Sequence, residues 1–325
     1  MRLSRRTGLA AATAFVAAAA LCGGTPRGAL AQDWPSRSIT IVIPFTGGGM
    51  MDFAVRSVAQ ELTRALGQTA LVEPKPGGSG AVGTTAVARA EPDGYTLLIT
   101  AIGPVVFRPL MDKNAGPDVG RDMTPIVMIG DTPNGILASP KLGVGTVKEL
   151  IAYAKSHDNR LTIGHPGVGT MGELCGMLLA QKIGVDGNMI AYRGATPIIS
   201  DLLGGQIDIG TPAYGPGADA VKILAVSGDQ RLPSLPTVPT LKESGVDMEC
   251  STWLAIFGPA NMPRPIVDRL NATIDGYLRK PETREAFSKI GLRVLGGPPE
   301  RLRDRVVADR ALWSPIVLGR PEAAK

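Results

Sequence analysis

The chain has 325 residues, with 34 basic and 29 acidic side chains, a formal net charge of +5, and 4% aromatic residues. Four of the basic residues lie within the first 31 positions, so the 34 basic groups fall to 30, against 29 acidic ones, in the rest of the chain. No basic patch with interleaved aromatic residues remains there, which excludes a nucleic-acid-binding surface.

The N-terminus has the order of a signal peptide. Three arginines within the first six residues precede an uncharged, alanine-rich run (Leu9–Leu21), and Ala29-Leu30-Ala31 follows as a cleavage signal. The run is shorter than the roughly 20 apolar residues of a membrane span. We therefore predict that residues 1–31 are a signal peptide, cleaved near Ala31-Gln32. The mature protein is expected to be periplasmic. Because Ser4-Arg5-Arg6 resembles the twin-arginine signal, both the general secretory and the twin-arginine routes remain open.

The remaining 294 residues exceed what one hydrophobic core usually supports, so two lobes are expected. Apolar runs bounded by turns alternate with stretches of helical periodicity, which is typical of an α/β sheet. In the first part of the chain the predicted elements are strand Ile39–Pro44, helix Asp52–Leu66, strand Thr69–Val72, helix Val82–Ala90 and strand Thr96–Thr100.

The α/β pattern restarts near Thr146, which is predicted to cap a helix with Glu149 at the third helical position. The elements that follow are strand Leu161–Gly164, helix Met171–Ile183, strand Met189–Tyr192, helix Pro197–Leu203, strands Ile207–Ile209 and Thr252–Phe257, and helices Pro265–Leu278, Pro281–Ile290 and Pro299–Trp313. We predict an α/β fold with lobe 1 at residues 32–133 and 236–325 and lobe 2 at 134–235. Each lobe is expected to be a mostly parallel sheet flanked by helices, with a ligand cleft between the lobes.

Two glycine-rich turns join the end of a predicted strand to the start of a helix. The first glycine turn is Pro44-Phe45-Thr46-Gly47-Gly48-Gly49, and the second is His165-Pro166-Gly167-Val168-Gly169-Thr170. Ligands of open α/β sheets bind at the carboxyl ends of strands, and helix N-termini offer free N–H groups to anions. The alternative is that the glycines only make tight connections. Two such turns, one in each lobe, favour an anion site.

The second glycine turn also fits a dinucleotide-binding fingerprint, with Gly167, Gly169 and Gly172 in G-x-G-x-x-G spacing. Asp186 stands where the acid that binds the ribose would be expected. An exported NAD-dependent oxidoreductase is therefore the alternative function. A lone fingerprint is weak evidence, however, and no catalytic set surrounds it.

Residues suited to catalysis are few. Asp52 and Glu173 each begin a helix, where acids are favoured by the helix dipole alone. His165 either donates a hydrogen bond to a bound carboxylate or caps its turn, and Trp253 either lines the cleft or packs in the core. No Cys/His cluster has metal-ligand spacing. We predict no enzyme activity, no cofactor and no metal.

Two cysteines lie beyond the predicted signal peptide, Cys175 and Cys250. In an oxidising compartment they could pair, and they could equally remain buried free thiols.

Several motifs together resemble the Bug-type receptors of tripartite tricarboxylate transporters. In order along the chain they are Trp34-Pro35-Ser36-Arg37, Ile41-Val42-Ile43-Pro44-Phe45, Val72-Glu73-Pro74-Lys75-Pro76-Gly77-Gly78-Ser79-Gly80, Pro92-Asp93-Gly94-Tyr95-Thr96-Leu97-Leu98, Val147-Lys148-Glu149-Leu150, Tyr192-Arg193-Gly194, Asp201-Leu202-Leu203-Gly204-Gly205-Gln206-Ile207-Asp208, Leu232-Pro233, Pro239-Thr240 and Phe257-Gly258-Pro259-Ala260.

This resemblance implies a type II periplasmic-binding fold and a non-enzymatic receptor, expected to be a monomer, that delivers a small carboxylate to membrane subunits of the transporter. It implies that Phe45, Thr46, Gly47, Gly48 and Gly49, with Asp52 behind them, form one half of a carboxylate cradle. His165, Pro166, Gly167, Gly169 and Thr170 form the other half, and Trp253 is a further candidate for the cleft wall. Backbone N–H groups can hold such a charge without a buried countercharge.

The sequence departs from the family pattern at Met50-Met51, at His165 and in the shortened stretch Thr211–Lys222. These departures argue against a citrate-like ligand. The two methionines favour a more apolar ligand or are core residues.

Overall fold

The computed structural model describes residues 34–45, 50–112 and 116–318. Its strands and helices are, in chain order, β1 (Ile39–Ile43), α1 (Met50–Leu66), β2 (Ala70–Pro74), α2 (Ala81–Ala88), β3 (Thr96–Ala101), α3 (Arg108–Met111), α4 (Val119–Asp122), β4 (Thr124–Pro133), β5 (Gly135–Ala138), α5 (Val147–Ser156), β6 (Arg160–His165), α6 (Met171–Ile183), β7 (Asp186–Ala191), α7 (Ala195–Gly204), β8 (Ile209–Gly210), β9 (Lys222–Val226), β10 (Ser251–Gly258), α8 (Arg264–Leu278), α9 (Pro281–Lys289), β11 (Arg293–Val294) and α10 (Pro299–Leu318). The predicted signal peptide and Thr46, Gly47, Gly48 and Gly49 of the first glycine turn lie outside the described residues.

The strands form two sheets, one in each lobe. The first has the order β11-β4-β10-β3-β1-β2 and the second the order β7-β6-β8-β5-β9. Both are flanked by helices, which confirms the two-lobed α/β fold. Along the described chain, no helix has the length and apolar character needed to cross a membrane.

In each sheet most strands run in the same direction, as expected, and the others run against them. Strands β1, β2 and β3 are parallel to one another, as are β6, β7 and β8, whereas β10 is antiparallel to β3 and β4, and β5 is antiparallel to β8 and β9. The reason is the path of the chain between the lobes. Strands β5 and β10 enter their lobes from the other lobe and run away from the cleft, while the parallel strands run towards it.

Apolar periodicity accounts for the core of the first lobe. In α1 the buried residues Ala54, Val55, Val58, Ala59 and Leu62 recur at helical spacing and face the sheet. Their partners in the sheet are buried residues of β1 and β3, among them Ile41, Ile43, Leu97 and Ile99. The helix that follows the first glycine turn is therefore stabilised mainly by burial of this apolar face and less by intrinsic helix propensity.

The chain passes between the lobes twice. The first passage is Asn134, which separates β4 from β5, and the second is the segment 227–250 between β9 and β10. Asn134 is fully buried, and its side chain donates from Nδ2 to the Thr211 carbonyl (2.8 Å) while Oδ1 accepts from Thr252 (3.3 Å). We call Asn134, Ser227 and Cys250 the hinge residues, because backbone bonds join them where the two passages meet.

Candidate functional site

A cavity of about 940 Å³ lies between the lobes, at the carboxyl ends of the parallel strands β1, β2, β3, β6, β7 and β8. Its lining includes Pro44 and Phe45 after β1, Gly77 after β2, Ile102, Gly103 and Pro104 after β3, Pro166, Gly167 and Thr170 after β6, Tyr192 and Arg193 after β7, and Pro212 and Ala213 after β8. Because parallel strands bring their carboxyl ends to one edge, the two sheets converge on a single site. The volume is in the range of cavities that hold small molecules.

The second glycine turn is held in shape by side chains next to it. The Gly167 carbonyl accepts hydrogen bonds from His165 Nδ1 (3.0 Å) and from Thr170 Oγ1 (2.7 Å). Gly167 and Gly169 have φ angles of 135° and 73°, which other residues adopt only with strain. Glycine is therefore favoured at both positions of this turn.

The same turn starts α6 through a capping box. Thr170 Oγ1 accepts from the Glu173 amide (3.3 Å), and the Glu173 carboxylate accepts from the Gly169 amide (2.8 Å). The Glu173 carboxylate thus caps the N-terminus of α6, and the Gly169 N–H already has a hydrogen-bond acceptor within the protein. Met171 and Gly172, in the first helical turn, line the cavity, and amides at this position have no partner within the helix.

An identical motif begins α5 on the protein surface. There Thr146 Oγ1 accepts from the Glu149 amide (3.2 Å) and the Glu149 carboxylate accepts from the Gly145 amide (2.6 Å). Both motifs have the sequence Gly-Thr-x-x-Glu, which starts at Gly145 in one and at Gly169 in the other. The two motifs differ in surroundings, since Glu149 is exposed and Glu173 is 6% exposed.

The first lobe contributes an apolar wall. Phe45, Met50 and Met51 line the cavity together with Asp52. The Asp52 carboxylate accepts from Arg56 Nε through Oδ2 (2.8 Å), while Oδ1 is buried without a hydrogen-bond partner among the described residues.

The two lobes touch at the cavity. A β-carbon on Gly103, which follows β3 in the first lobe, would lie 2.6 Å from the Gly169 carbonyl oxygen in the second lobe. A β-carbon on Gly169 would in turn lie 3.5 Å from Met111 Sδ. The backbone at Gly103 and the second glycine turn are thus in direct contact across the cleft.

The loop after β7 adds polar groups. Tyr192 donates from its hydroxyl to Asp201 Oδ2 (2.6 Å), and burial, followed by this carboxylate, raises the pKa of Tyr192 to about 12. Arg193 is the one cationic residue of the described cavity lining, and it is exposed. The lining loops after β3, β7 and β8 were not predicted as site residues; the Tyr192-Arg193-Gly194 motif at the end of a predicted strand was the available signal.

Three predicted site residues do not line the cavity. The His165 imidazole is 2% exposed, and it supports the second glycine turn instead of lining the cavity. Gly169 is bonded to Glu173 and meets Gly103. Trp253 is fully buried and donates from Nε1 to Asp309 Oδ2 (2.6 Å), because side chains alternate along β10 and its neighbours Thr252 and Leu254 face the cavity.

The dinucleotide interpretation fails on geometry. Asp186 is the first residue of β7, is paired in register with Arg160 at the start of β6, and lies 3.3 Å from Arg160 Nε. The second glycine turn begins at the other end of β6, roughly 17 Å away for a strand of this length. Gly172 has a packing role, since its β-carbon would lie 2.5 Å from Pro166 Cδ. Asp186 therefore cannot serve a ribose bound at the turn.

In the part of the chain that the structure describes, no group of three His, Cys, Asp or Glu side chains is placed to hold a metal ion.

Comparison with known proteins identifies the family. The profile of the tripartite tricarboxylate transporter family receptor (TctC) matches residues 54–317. The chain belongs to this receptor family. Protein BugT of Bordetella pertussis is 30% identical over 294 residues, covering 88% of this chain and 90% of BugT.

Two solved structures to which this chain is similar contain a bound carboxylate. Rpa4515 of R. palustris, solved with adipate, is 30% identical with a TM-score of 0.84, over 88% of this chain and 99% of that one. MatC from Rhodopseudomonas palustris, solved with malate, is 28% identical with a TM-score of 0.80, over 87% of this chain and 100% of that one. This chain is therefore a solute-binding receptor of that family, and the oxidoreductase alternative is not supported.

Proposed function

We propose that the receptor holds one carboxylate of its ligand between the first and second glycine turns, with the rest of the ligand against the apolar first-lobe wall. The observation that carries this proposal is the second glycine turn at the cavity, with its conformation fixed by its own side chains and with the first amides of α6 beside it. Amides ordered in advance bind an anion without the cost of ordering them during binding.

Phe45, Pro166, Gly167, Thr170 and Asp52 are the residues that we assign to the ligand, with Thr46, Gly47, Gly48 and Gly49 as the proposed opposite half of the cradle. Adipate in Rpa4515 and malate in MatC are carboxylates of the size that this cavity accommodates.

The wider role belongs to the same proposal. The chain is exported with cleavage near Ala31-Gln32, by the general secretory or the twin-arginine route, and works as a monomer without catalytic turnover. Lobe 1 comprises residues 32–133 and 236–325, and lobe 2 comprises 134–235. It hands its ligand to the membrane subunits of a tripartite transporter. Intact mass of the periplasmic protein tests the cleavage site.

The binding proposal is tested with matched pairs of ligands. Small carboxylic acids, including adipate and malate, are compared with their neutral amides by thermal shift on the purified mature chain. Ligand at about 100 times its Kd stabilises a one-site receptor by roughly 2.7 kcal/mol, which at about 2–4 °C per kcal/mol raises Tm by several degrees. We expect at least one acid to shift Tm and its amide to have no effect. Equal shifts by acid and amide would contradict a carboxylate cradle.

A further inference from the structure

The apolar part of the cavity lining comes from both lobes. Its side chains include Phe45, Met50, Met51, Ile199, Ala213 and Ala218. Phe45, Met51 and Ala213 also pack against the hydrophobic cluster of the first lobe, so the core holds them in place. A β-carbon on Gly215, in the second lobe, would lie 3.7 Å from Met50 Cβ, which puts Met50 where the two lobes meet. A ligand enclosed here has apolar atoms on both sides.

The donors among the polar side chains of the lining are already used by the protein. The single hydroxyl protons of Thr170, Tyr192 and Thr252 are donated to oxygen atoms of the protein at 2.7, 2.6 and 3.3 Å. The hinge residue Asn134 is fully buried, and its amide donates to the Thr211 carbonyl at 2.8 Å. Since a carboxylate is only an acceptor, it binds where donors are free. These side chains therefore suit an apolar ligand body better than a second carboxylate.

The charges of the described lining also disfavour a second carboxylate inside the cavity. The acid of the lining, Asp52, is paired with Arg56 (2.8 Å), and a ligand carboxylate next to it would bring two like charges together. Arg193, the one cation of this lining, is exposed, so water and salt screen its charge. Residues 46–49 are threonine and glycine, which carry no charge. An unpaired carboxylate buried against this lining would be strongly unfavourable.

We propose that the ligand of this receptor is a monocarboxylate whose remaining atoms are apolar, such as an alkanoate or an aromatic acid, and not a di- or tricarboxylate. The single carboxylate is the group that the two glycine turns hold, so this proposal rests on the proposed function. The apolar body lies against Phe45, Met50 and Met51 on one side and against Ile199 and Ala213 on the other. Its burial supplies binding free energy without a further charged contact.

The deciding measurement compares compounds that share one carbon chain and differ in their charged groups. Hexanoate has one carboxylate, adipate has two and hexanamide has none. Calorimetric titration of the purified mature chain should give a Kd for hexanoate about tenfold or more below that for adipate, and no binding of hexanamide. Adipate that bound as tightly as hexanoate would overturn the monocarboxylate and leave the carboxylate cradle standing. Hexanamide that bound as tightly as hexanoate would instead contradict the cradle.

A homologous series tests the apolar body. Butanoate, pentanoate, hexanoate and octanoate are titrated in the same way, with benzoate and cyclohexanecarboxylate as ring compounds. Kd should fall about fourfold with each added methylene until the cavity is full. A Kd that stayed constant along the series would show that the body is not buried and would overturn the proposal. Failure of every monocarboxylate to bind would overturn it as well.

Met51→Lys is designed to reverse the preference. Met51 is half-buried in the lining, and an ammonium group at this position supplies a partner for a second carboxylate. The ratio of the adipate Kd to the hexanoate Kd should fall about tenfold. Val307→Lys adds the same charge to an exposed position of α10 outside the lining and should leave both Kd values unchanged.

A Met51→Lys variant that melts cooperatively and keeps the native ratio would contradict the placement of the ligand body against this lining. If that variant does not fold, Ile199→Lys places the same charge on the opposite side of the cavity, with the same expected fall in the ratio.

Arg193 is the rival partner for a second carboxylate. Arg193→Gln should weaken hexanoate and adipate by the same small factor, because an exposed charge acts on both ligands only at long range. The same titrations measure both Kd values. A loss of adipate affinity about tenfold larger than the loss of hexanoate affinity would show that Arg193 holds a second carboxylate, and it would overturn the proposal.

Discussion

The sequence uses the same five-residue motif, Gly-Thr-x-x-Glu, in two regions with different results. At Gly145–Glu149 it starts α5 on the surface, and at Gly169–Glu173 it starts α6 at the cavity between the lobes. The hydrogen bonds of threonine and glutamate are the same in both. What differs is what lies opposite. Around Gly145 the nearest atoms are Glu149 Oε2 and Lys222 Cε, whereas Gly169 meets the first lobe at Gly103.

This difference teaches that a helix cap becomes part of a binding site through its position in the fold. The motif itself supplies a fixed helix N-terminus in either place. Only the second copy follows a parallel strand that ends at the cleft, so only its amides lie at the cavity where we propose that the ligand binds. Four predictions test the contrast, from the largest expected effect to the smallest.

The largest effect is expected from Gly103→Ala. The new methyl group would stand 2.6 Å from the Gly169 carbonyl oxygen, so it should prevent the lobes from meeting and weaken ligand binding about 100-fold. The Tm of the ligand-free protein should change little, because an open arrangement relieves the clash. Calorimetric titration with the best acid measures the loss.

Gly276→Ala is the control for that variant, since nothing lies within 4 Å of its β-carbon in α8. It should bind normally and melt at or slightly above the wild-type temperature. Unchanged affinity in Gly103→Ala would refute the idea that contact between the lobes accompanies binding.

The next effect concerns the two capping glutamates. Glu173→Ala leaves the Gly169 amide without its acceptor beside the cavity, and we expect a loss of about 1–2 kcal/mol in stability and about tenfold in affinity. Glu149→Ala should lose about 0.5 kcal/mol and keep full affinity, because its motif is exposed and far from the ligand. Chemical denaturation and titration of both variants give the two numbers. Similar losses of affinity in the two variants would remove the contrast.

The loss of stability on replacing glycine by alanine should also differ between the two motifs. Gly169 has φ of 73°, so Gly169→Ala is expected to cost about 1 kcal/mol through backbone strain. Gly145 does not have a positive φ, and its β-carbon would approach Glu149 Oε2 at an ordinary 3.4 Å, so Gly145→Ala should be almost neutral. Denaturation midpoints of the two variants measure these losses of stability. Equal losses would mean that the turn at position 169 relaxes to accept alanine.

The smallest difference is expected for the threonines. Thr146→Val and Thr170→Val each remove one cap and should each cost about 1 kcal/mol. A small excess for Thr170→Val is expected because its hydroxyl also donates to the Gly167 carbonyl. Denaturation curves measure both, and a threonine at 170 that cost much less than the one at 146 would argue that the second motif is held by the ligand rather than by its cap.

Local signals predicted much of the fold. The helix predicted at Met171–Ile183 has these bounds in the structure, since the threonine cap and Gly184 end it on both sides. Strands β4, β5 and β9 were not predicted as strands, because β4 and β5 run on from one another with only Asn134 between them and their apolar residues give no period. Their direction, and hence the mixed sheets, depends on which lobe the chain enters next.

The sequence by itself determined the signal-peptide pattern, the family, the two-lobed α/β fold and the glycine turn at the end of β6, because these depend on short-range patterns of charge, apolar period and glycine. The tertiary structure alone decided which residues line the cavity. Because side chains alternate along β10, the Trp253 side chain points into the core. Sheet pairing places Asp186 at the end of β7 that is distant from the second glycine turn. The approach of the two lobes made Gly103, which no local motif marks, a neighbour of Gly169, since contacts between distant segments exist only after both sheets have formed.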